Sequence, residues 1–129
     1  MPAQAADNQS TRASYYFLAS SAYLYMTSET TFEAWFDVTA TKIMEEVGAK
    51  EICIQRSSDD EDWNTIRTFT MEDYPNLICE DTNGHVSYVS HGCLRGYYYR
   101  AKIKLYAYDG VGTGVWTRYT DSVYIPFPY

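Results

Sequence analysis

The sequence predicts an all-β protein, a two-layer antiparallel β-sandwich, and three observations carry that prediction. In the run GYYYRAKIKLYA, Tyr97, Tyr99, Ala101, Ile103, Leu105 and Ala107 fall on one face. Tyr98, Arg100, Lys102, Lys104 and Tyr106 fall on the other. This is a strand with one dry side. A second run, Thr31 to Thr41, alternates in the same way, with Phe32, Ala34, Phe36, Val38 and Ala40 against Glu33, Trp35, Asp37 and Thr39. Long strands with a single apolar face occupy the middle of antiparallel sheets that pack on a second sheet. The third observation is 14 tyrosines within an aromatic content of 17%, a composition that suits half-wet strands better than helices. At 129 residues the chain has enough surface to bury around one core and no need of a second.

The elements follow in chain order. Residues 1–14, MPAQAADNQSTRAS, are small and polar with the A-x-A look of a stretch just after a signal-peptidase cut. They are expected to be a flexible tail of a mature exported chain, with Met1 an added initiator and residues 15–129 the single domain. Tyr15 to Met26 reads as a strand greasy on both faces, which implies either that a neighbour covers one face or that a bulge or bend lies near Ser20 and Ser21. After the strand Thr31 to Thr41, Lys42 to Lys50 (KIMEEVGAK) is the one helix-like stretch. Closed by Gly48, it is expected to be a single helical turn between sheets. Glu51 to Arg56 points Ile52 and Ile54 inward, the polar turn Ser57 to Asp62 follows, and Trp63 to Thr70 returns with Ile66 and Thr68 on one face. Met71 to Asn76 is a loop marked by Pro75. Leu77 to Glu80 and His85 to Ser90 are expected to pair as a hairpin around Asp81-Thr82-Asn83-Gly84. The long strand from Gly96 and a last strand from Val115 to Ile125, beyond the glycine-rich Asp109 to Gly114, complete the set. Seven to eight strands at this spacing predict an immunoglobulin-like or fibronectin type III-like sandwich.

Four stretches, RASYYF, FDVTATKIMEEVGAKEICIQRS, the tryptophan at Trp63 and GYYYRAKIKLYA, carry a likeness that spans nearly all the chain after the tail. Through them the chain resembles a family of small secreted β-sandwich proteins of unknown function from Gram-positive anaerobes. The resemblance implies export to the extracellular space and a sandwich fold. It implies no catalytic residue, because the shared motifs are structural, and Cys53, Cys79 and Cys93 depart from the pattern.

Charge and motif spacing exclude several functions. With 17 acidic against 10 basic residues the net charge is −7 and the sequence pI about 4.6, which repels phosphate backbones and excludes nucleic acid as a partner. No run approaches the length of a membrane span. His85, His91, Cys79 and Cys93 invite a zinc reading but lack paired knuckle spacings, so no metal or other cofactor is expected. Cys79 and Cys93, on opposite arms of the expected hairpin, are read as a disulfide worth about 3 kcal/mol, with Cys53 unpaired and three free thiols as the alternative. Asp59, Asp60, Glu61 and Asp62 lack the alternating spacing of a calcium loop and read as a solvated hairpin tip. With two histidines and no nucleophile motif, the chain is expected not to be an enzyme.

The candidate binding site is the wet face of the long strand. Tyr98, Arg100, Tyr106 and Tyr108 lie in a row interleaved with lysines, and Trp116 and Arg118 are expected to join them if the last strand pairs alongside. Rings alternating with cations on an open sheet can hold a glycan or a protein ligand. The first function expected is therefore a binding or adhesion module at the cell surface or in the extracellular space. The alternative is a self-assembling subunit of an extracellular filament or surface layer, in which the strand Tyr15 to Met26 pairs with a neighbouring copy.

Overall fold

The computed structural model describes residues 15–128, so the expected tail over residues 1–14 lies outside the described residues. The fold is all-β. Seven strands, β1 (Phe17–Ser28), β2 (Thr31–Ser57), β3 (Asn64–Thr70), β4 (Ile78–Gly92), β5 (Tyr98–Tyr108), β6 (Thr113–Tyr119) and β7 (Val123–Tyr124), join in one antiparallel sheet. One 3₁₀ turn, Pro75–Leu77, precedes β4. No helix among the described residues is long and apolar enough to cross a membrane.

The sheet is organised around β2, 27 residues long. Its first part, Thr31 to Thr39, lies between β1 and the second part of β4. Its later part, from Met44 onward, has the first part of β4 and then β3 on one side and β5 on the other. The register against β4 shifts between Thr39 and Met44, and there both strands turn a corner together. The corner curls the sheet until β6 meets β1. The Phe17 and Trp116 rings come to 5.8 Å, and Arg118 Nη1 donates to Ser20 Oγ at 3.0 Å.

Inside the curl the alternating residues share one core. Phe32, Ala34, Phe36, Val38 and Ala40 of β2 are buried, as are Ile52 and Ile54 further along it and Tyr99, Ala101, Ile103, Leu105 and Ala107 of β5. This is the inner face that the period-two pattern predicts. Each large aliphatic or aromatic side chain so buried contributes about 1.5–3 kcal/mol against exposure. Phe69, Leu77 and Ile125 complete the core from β3, the 3₁₀ turn and the C-terminal segment.

Four sequence expectations are corrected. Lys42 to Lys50 is not a helical turn but part of β2 without interruption. Met44, Val47 and Ala49 are buried, and Glu46 to Gly48 pair with β4 and β5 at once, so ladder hydrogen bonds on both sides outweigh the helix preference of Met-Glu-Glu. Asp81 to Gly84 does not close a hairpin, because Ile78–Gly92 is a single strand. The turn-forming residues serve the corner instead: Asp81 takes φ +52°, and Thr82 Oγ1 accepts from Gly84 N and donates to Gly84 O. The last strand divides into β6 and β7, separated by Thr120, whose Oγ1 accepts from Ala101 N at 2.9 Å. The irregularities of β1 fall near its ends, between Phe17 and Ala19 and between Met26 and Ser28, rather than at Ser20 and Ser21.

In the acidic loop, Asp59 caps its own turn. Its Oδ1 accepts from Asp62 N and Glu61 N, each at 2.9 Å, and from Ser57 Oγ at 2.9 Å. These bonds, with the Asp62 amide the largest cause, hold its carboxyl down at about 2. An NMR titration of the side-chain carboxyl is expected to show a midpoint near that value. Because the folded value is depressed, the loop's support from Asp59 is present above the ordinary carboxylate range and is lost as pH falls through about 2.

Candidate functional site

Cross-strand partners in an antiparallel sheet point to the same face, so the register of β5 with β6 decides which side chains meet. Leu105 pairs with Trp116 and Ile103 with Arg118, both on the inner side. Trp116 and Arg118 therefore do not join the row of Tyr98, Arg100, Tyr106 and Tyr108, contrary to expectation. They close the seam between β6 and β1, where Trp116 packs against the core and the Arg118 guanidinium lies 5.2 Å from its ring centre. The residues that do share the outer face are Val115, Thr117 and Tyr119 of β6, opposite Tyr106, Lys104 and Lys102, and Tyr124 of β7, opposite Tyr98.

Tyr106 is withdrawn from that face. It is 9% exposed, its hydroxyl donates to Glu46 Oε1 at 3.0 Å, and burial with this bond pushes its pKa up to about 12. Tyr108 donates to Gly110 O at 3.2 Å, which ties it to the neighbouring loop. Tyr98 leans on Tyr124 with ring centres 4.8 Å apart.

Arg100 has the most developed surroundings. Its guanidinium sits between the Trp63 ring at 4.4 Å and the Tyr119 ring at 4.6 Å, and Nε donates to Gln55 Oε1 at 2.8 Å. Gln55 lies opposite Arg100 on β2, so the sheet register itself sets this bond. Among the described residues neither Nη1 nor Nη2 has a hydrogen-bond or ion-pair partner. Lys102 and Lys104 continue the row, with Lys104 Nζ 3.5 Å from Glu51 Oε2. A guanidinium in contact with two rings and bonded through Nε is restrained, and its planar fork suits a carboxylate or another oxyanion. Arg100 was legible in the sequence as part of the row. Trp63 and Tyr119 were not, since they reach it from a loop and from a strand whose register the sequence leaves open.

A second aromatic group, unpredicted as a cluster, lies on the outer face of β1, β2 and β4. Tyr23, Trp35 and Tyr88 are direct cross-strand partners. The Tyr23 and Trp35 ring centres lie 6.2 Å apart with planes at 2°, and those of Trp35 and Tyr88 lie 4.4 Å apart at 23°. At 4.4 Å the Trp35 and Tyr88 rings stack on each other, so that face of Trp35 is not free to stack on a sugar. Glu33 Oε1 accepts from Trp35 Nε1 at 2.9 Å.

Cys53, Cys79 and Cys93 are free thiols. The expected Cys79–Cys93 disulfide depended on two hairpin arms. Cys79 instead lies at the start of β4 and Cys93 just beyond its end, so the strand itself keeps them apart. Cys53 turns away from Ile52 and Ile54, as expected, but is covered by its neighbours, with Sγ near Glu51 Oε2 and Thr68 Oγ1. Burial raises the pKa of Cys53 and pushes that of Cys93 up to about 11. Both are expected to resist iodoacetamide at neutral pH until the protein is unfolded, as peptide mapping after alkylation with and without denaturant would show. His85 donates from Nε2 to Asn76 O at 2.7 Å, and no group of three or more metal-ligating side chains converges among the described residues.

No family model, curated protein or solved structure matches the chain.

Proposed function

We propose that the protein is an exported, non-enzymatic binding module that meets a carboxylate-bearing partner through the outer face of β5. The observation that carries this reading is Arg100, which lies over both Trp63 and Tyr119 and whose terminal nitrogens have no partner among the described residues. A fork already fixed by its rings loses little freedom on accepting a carboxylate, and Lys102 adds a second charge in the same row. On a chain of net charge −7, a local row of cations is the feature most easily explained by an acidic partner. Export is what the family resemblance implies. We also read the curled sheet as a two-layer sandwich of immunoglobulin or fibronectin type III appearance. Support for that comes from the inner faces of β2 and β5, which bury their alternating residues in one core.

The reading is tested by retention on immobilised polygalacturonate against neutral galactan. Retention at low salt is expected on the acidic polymer only. A charge-assisted bidentate contact is worth about 1.5–3 kcal/mol, so Arg100→Gln is expected to weaken retention at least about tenfold. Lys42→Gln/Lys50→Gln, which removes positive charge elsewhere, is expected to leave it nearly unchanged. Equal retention of the Arg100→Gln variant and the native chain would remove Arg100 from the binding face.

A further inference from the structure

The two outer faces of the curled sheet carry opposite charges at the same spacing. On β2, Glu33, Trp35 and Asp37 point outward, and the residues beside them are Tyr25, Tyr23 and Ser21 of β1 and Ser90, Tyr88 and Val86 of β4, with no cation in these rows. On β5 the outward residues include Arg100, Lys102 and Lys104, the last already facing Glu51 of β2 at 3.5 Å, which leaves Arg100 and Lys102 as the cations without an ion-pair partner among the described residues. Glu33 and Asp37 are as far apart along β2 as Arg100 and Lys104 are along β5, about 13 Å at the rise of an extended strand. Because the inner sides of both regions bury into one core, the two faces look away from each other.

We propose that the acidic partner of the Arg100 row is the Glu33–Trp35–Asp37 face of a second copy, so that copies join head to tail through unlike faces. This rests on the reading of the Arg100 row as the recognition face. Charge excludes the other pairings: two acidic faces would oppose Glu33 and Asp37 to their own kind, and two basic faces would do the same with Arg100 and Lys102. Surface ion pairs alone hold little, but the acidic face also carries an apolar ridge. Tyr23 is 47% exposed, Tyr25 58%, Val86 51% and Tyr88 40%, and a neighbour's lysine stems would cover them. An unlike-face contact leaves one free face at each end, so the assembly grows past the dimer or closes into a ring.

Sedimentation velocity of the full chain across a wide concentration range is the test. The native protein is expected to form species larger than a dimer as concentration rises. Arg100→Glu/Lys102→Glu and Glu33→Lys/Asp37→Lys are each expected to stay monomeric with an unchanged circular dichroism spectrum. Mixed together, the two are expected to associate, because the intact acidic face of the first meets the intact basic face of the second and the two reversed faces are likewise opposite in charge. The proposal predicts that co-assembly, and a mixture that stays monomeric overturns the pairing of these faces. If the first variant loses its fold, Lys102→Glu/Lys104→Glu replaces it and leaves the ring clamp in place. A native chain that stays monomeric at every concentration overturns the second copy as partner. Arg100-dependent retention on polygalacturonate persisting in that monomer leaves the recognition face itself standing.

Discussion

Ile103→Ala is expected to lower the unfolding free energy by about 2–4 kcal/mol, measured by urea denaturation, while Lys102→Ala one position away changes it by no more than about 0.5 kcal/mol. Ile103 is fully buried between Ile52 on β2 and Arg118 on β6, so the truncated side chain leaves a void that strands paired on both sides cannot collapse to fill. Lys102 stands on the outer face opposite Cys53 and Tyr119. A large loss at Lys102 with little at Ile103 would mean that β5 is in the other register, since a slip of one residue exchanges the two faces.

Gly48→Ala is expected to cost about 3 kcal/mol, at the upper end of overpacking, by the same measurement. A Cβ at Gly48 would lie 1.9 Å from the carbonyl oxygen of Leu77 and 2.9 Å from its carbonyl carbon. These are backbone atoms of the 3₁₀ turn that seats Leu77 in the core, so no side-chain rotation relieves the clash. Gly84→Ala, whose Cβ would come no nearer than 3.3 Å to Val38 O, provides the comparison and is expected to cost distinctly less. Equal losses at the two positions would remove the close approach of Leu77 as the cause.

The inner face was legible because its signal is local. Phe32 to Ala40 and Tyr99 to Ala107 alternate without a break, and a strand buried on one side leaves no other assignment for them. What escaped was set by partners distant in sequence. Met44-Glu45-Glu46 prefers a helix locally, yet two flanking strands hold it extended. Asp81 to Gly84 has the composition of a turn, and whether such residues reverse a strand or bend it depends on the strand beside them. The candidate site divides in the same way. Arg100 stood out by its own alternation, whereas the side on which Trp116 and Arg118 lie depends on the register of β6 against β5, and Val115 and Trp116, both apolar, leave that parity open in the sequence. With that parity wrong, Tyr119 was hidden, and Trp63 could be found only once the loop before β3 was placed over β5.

The length of β2 also governs how the molecule comes apart. β1, β3, β4 and β5 all hydrogen-bond to this one strand, so none of them can detach as a separate folding unit without exposing part of it. Intermediate states in which one half of the sheet persists while the other melts are therefore disfavoured, and all-or-none unfolding is expected. The amide protons at the centre of β2, such as those of Val47 and Ile52, should exchange with solvent only when the entire chain opens.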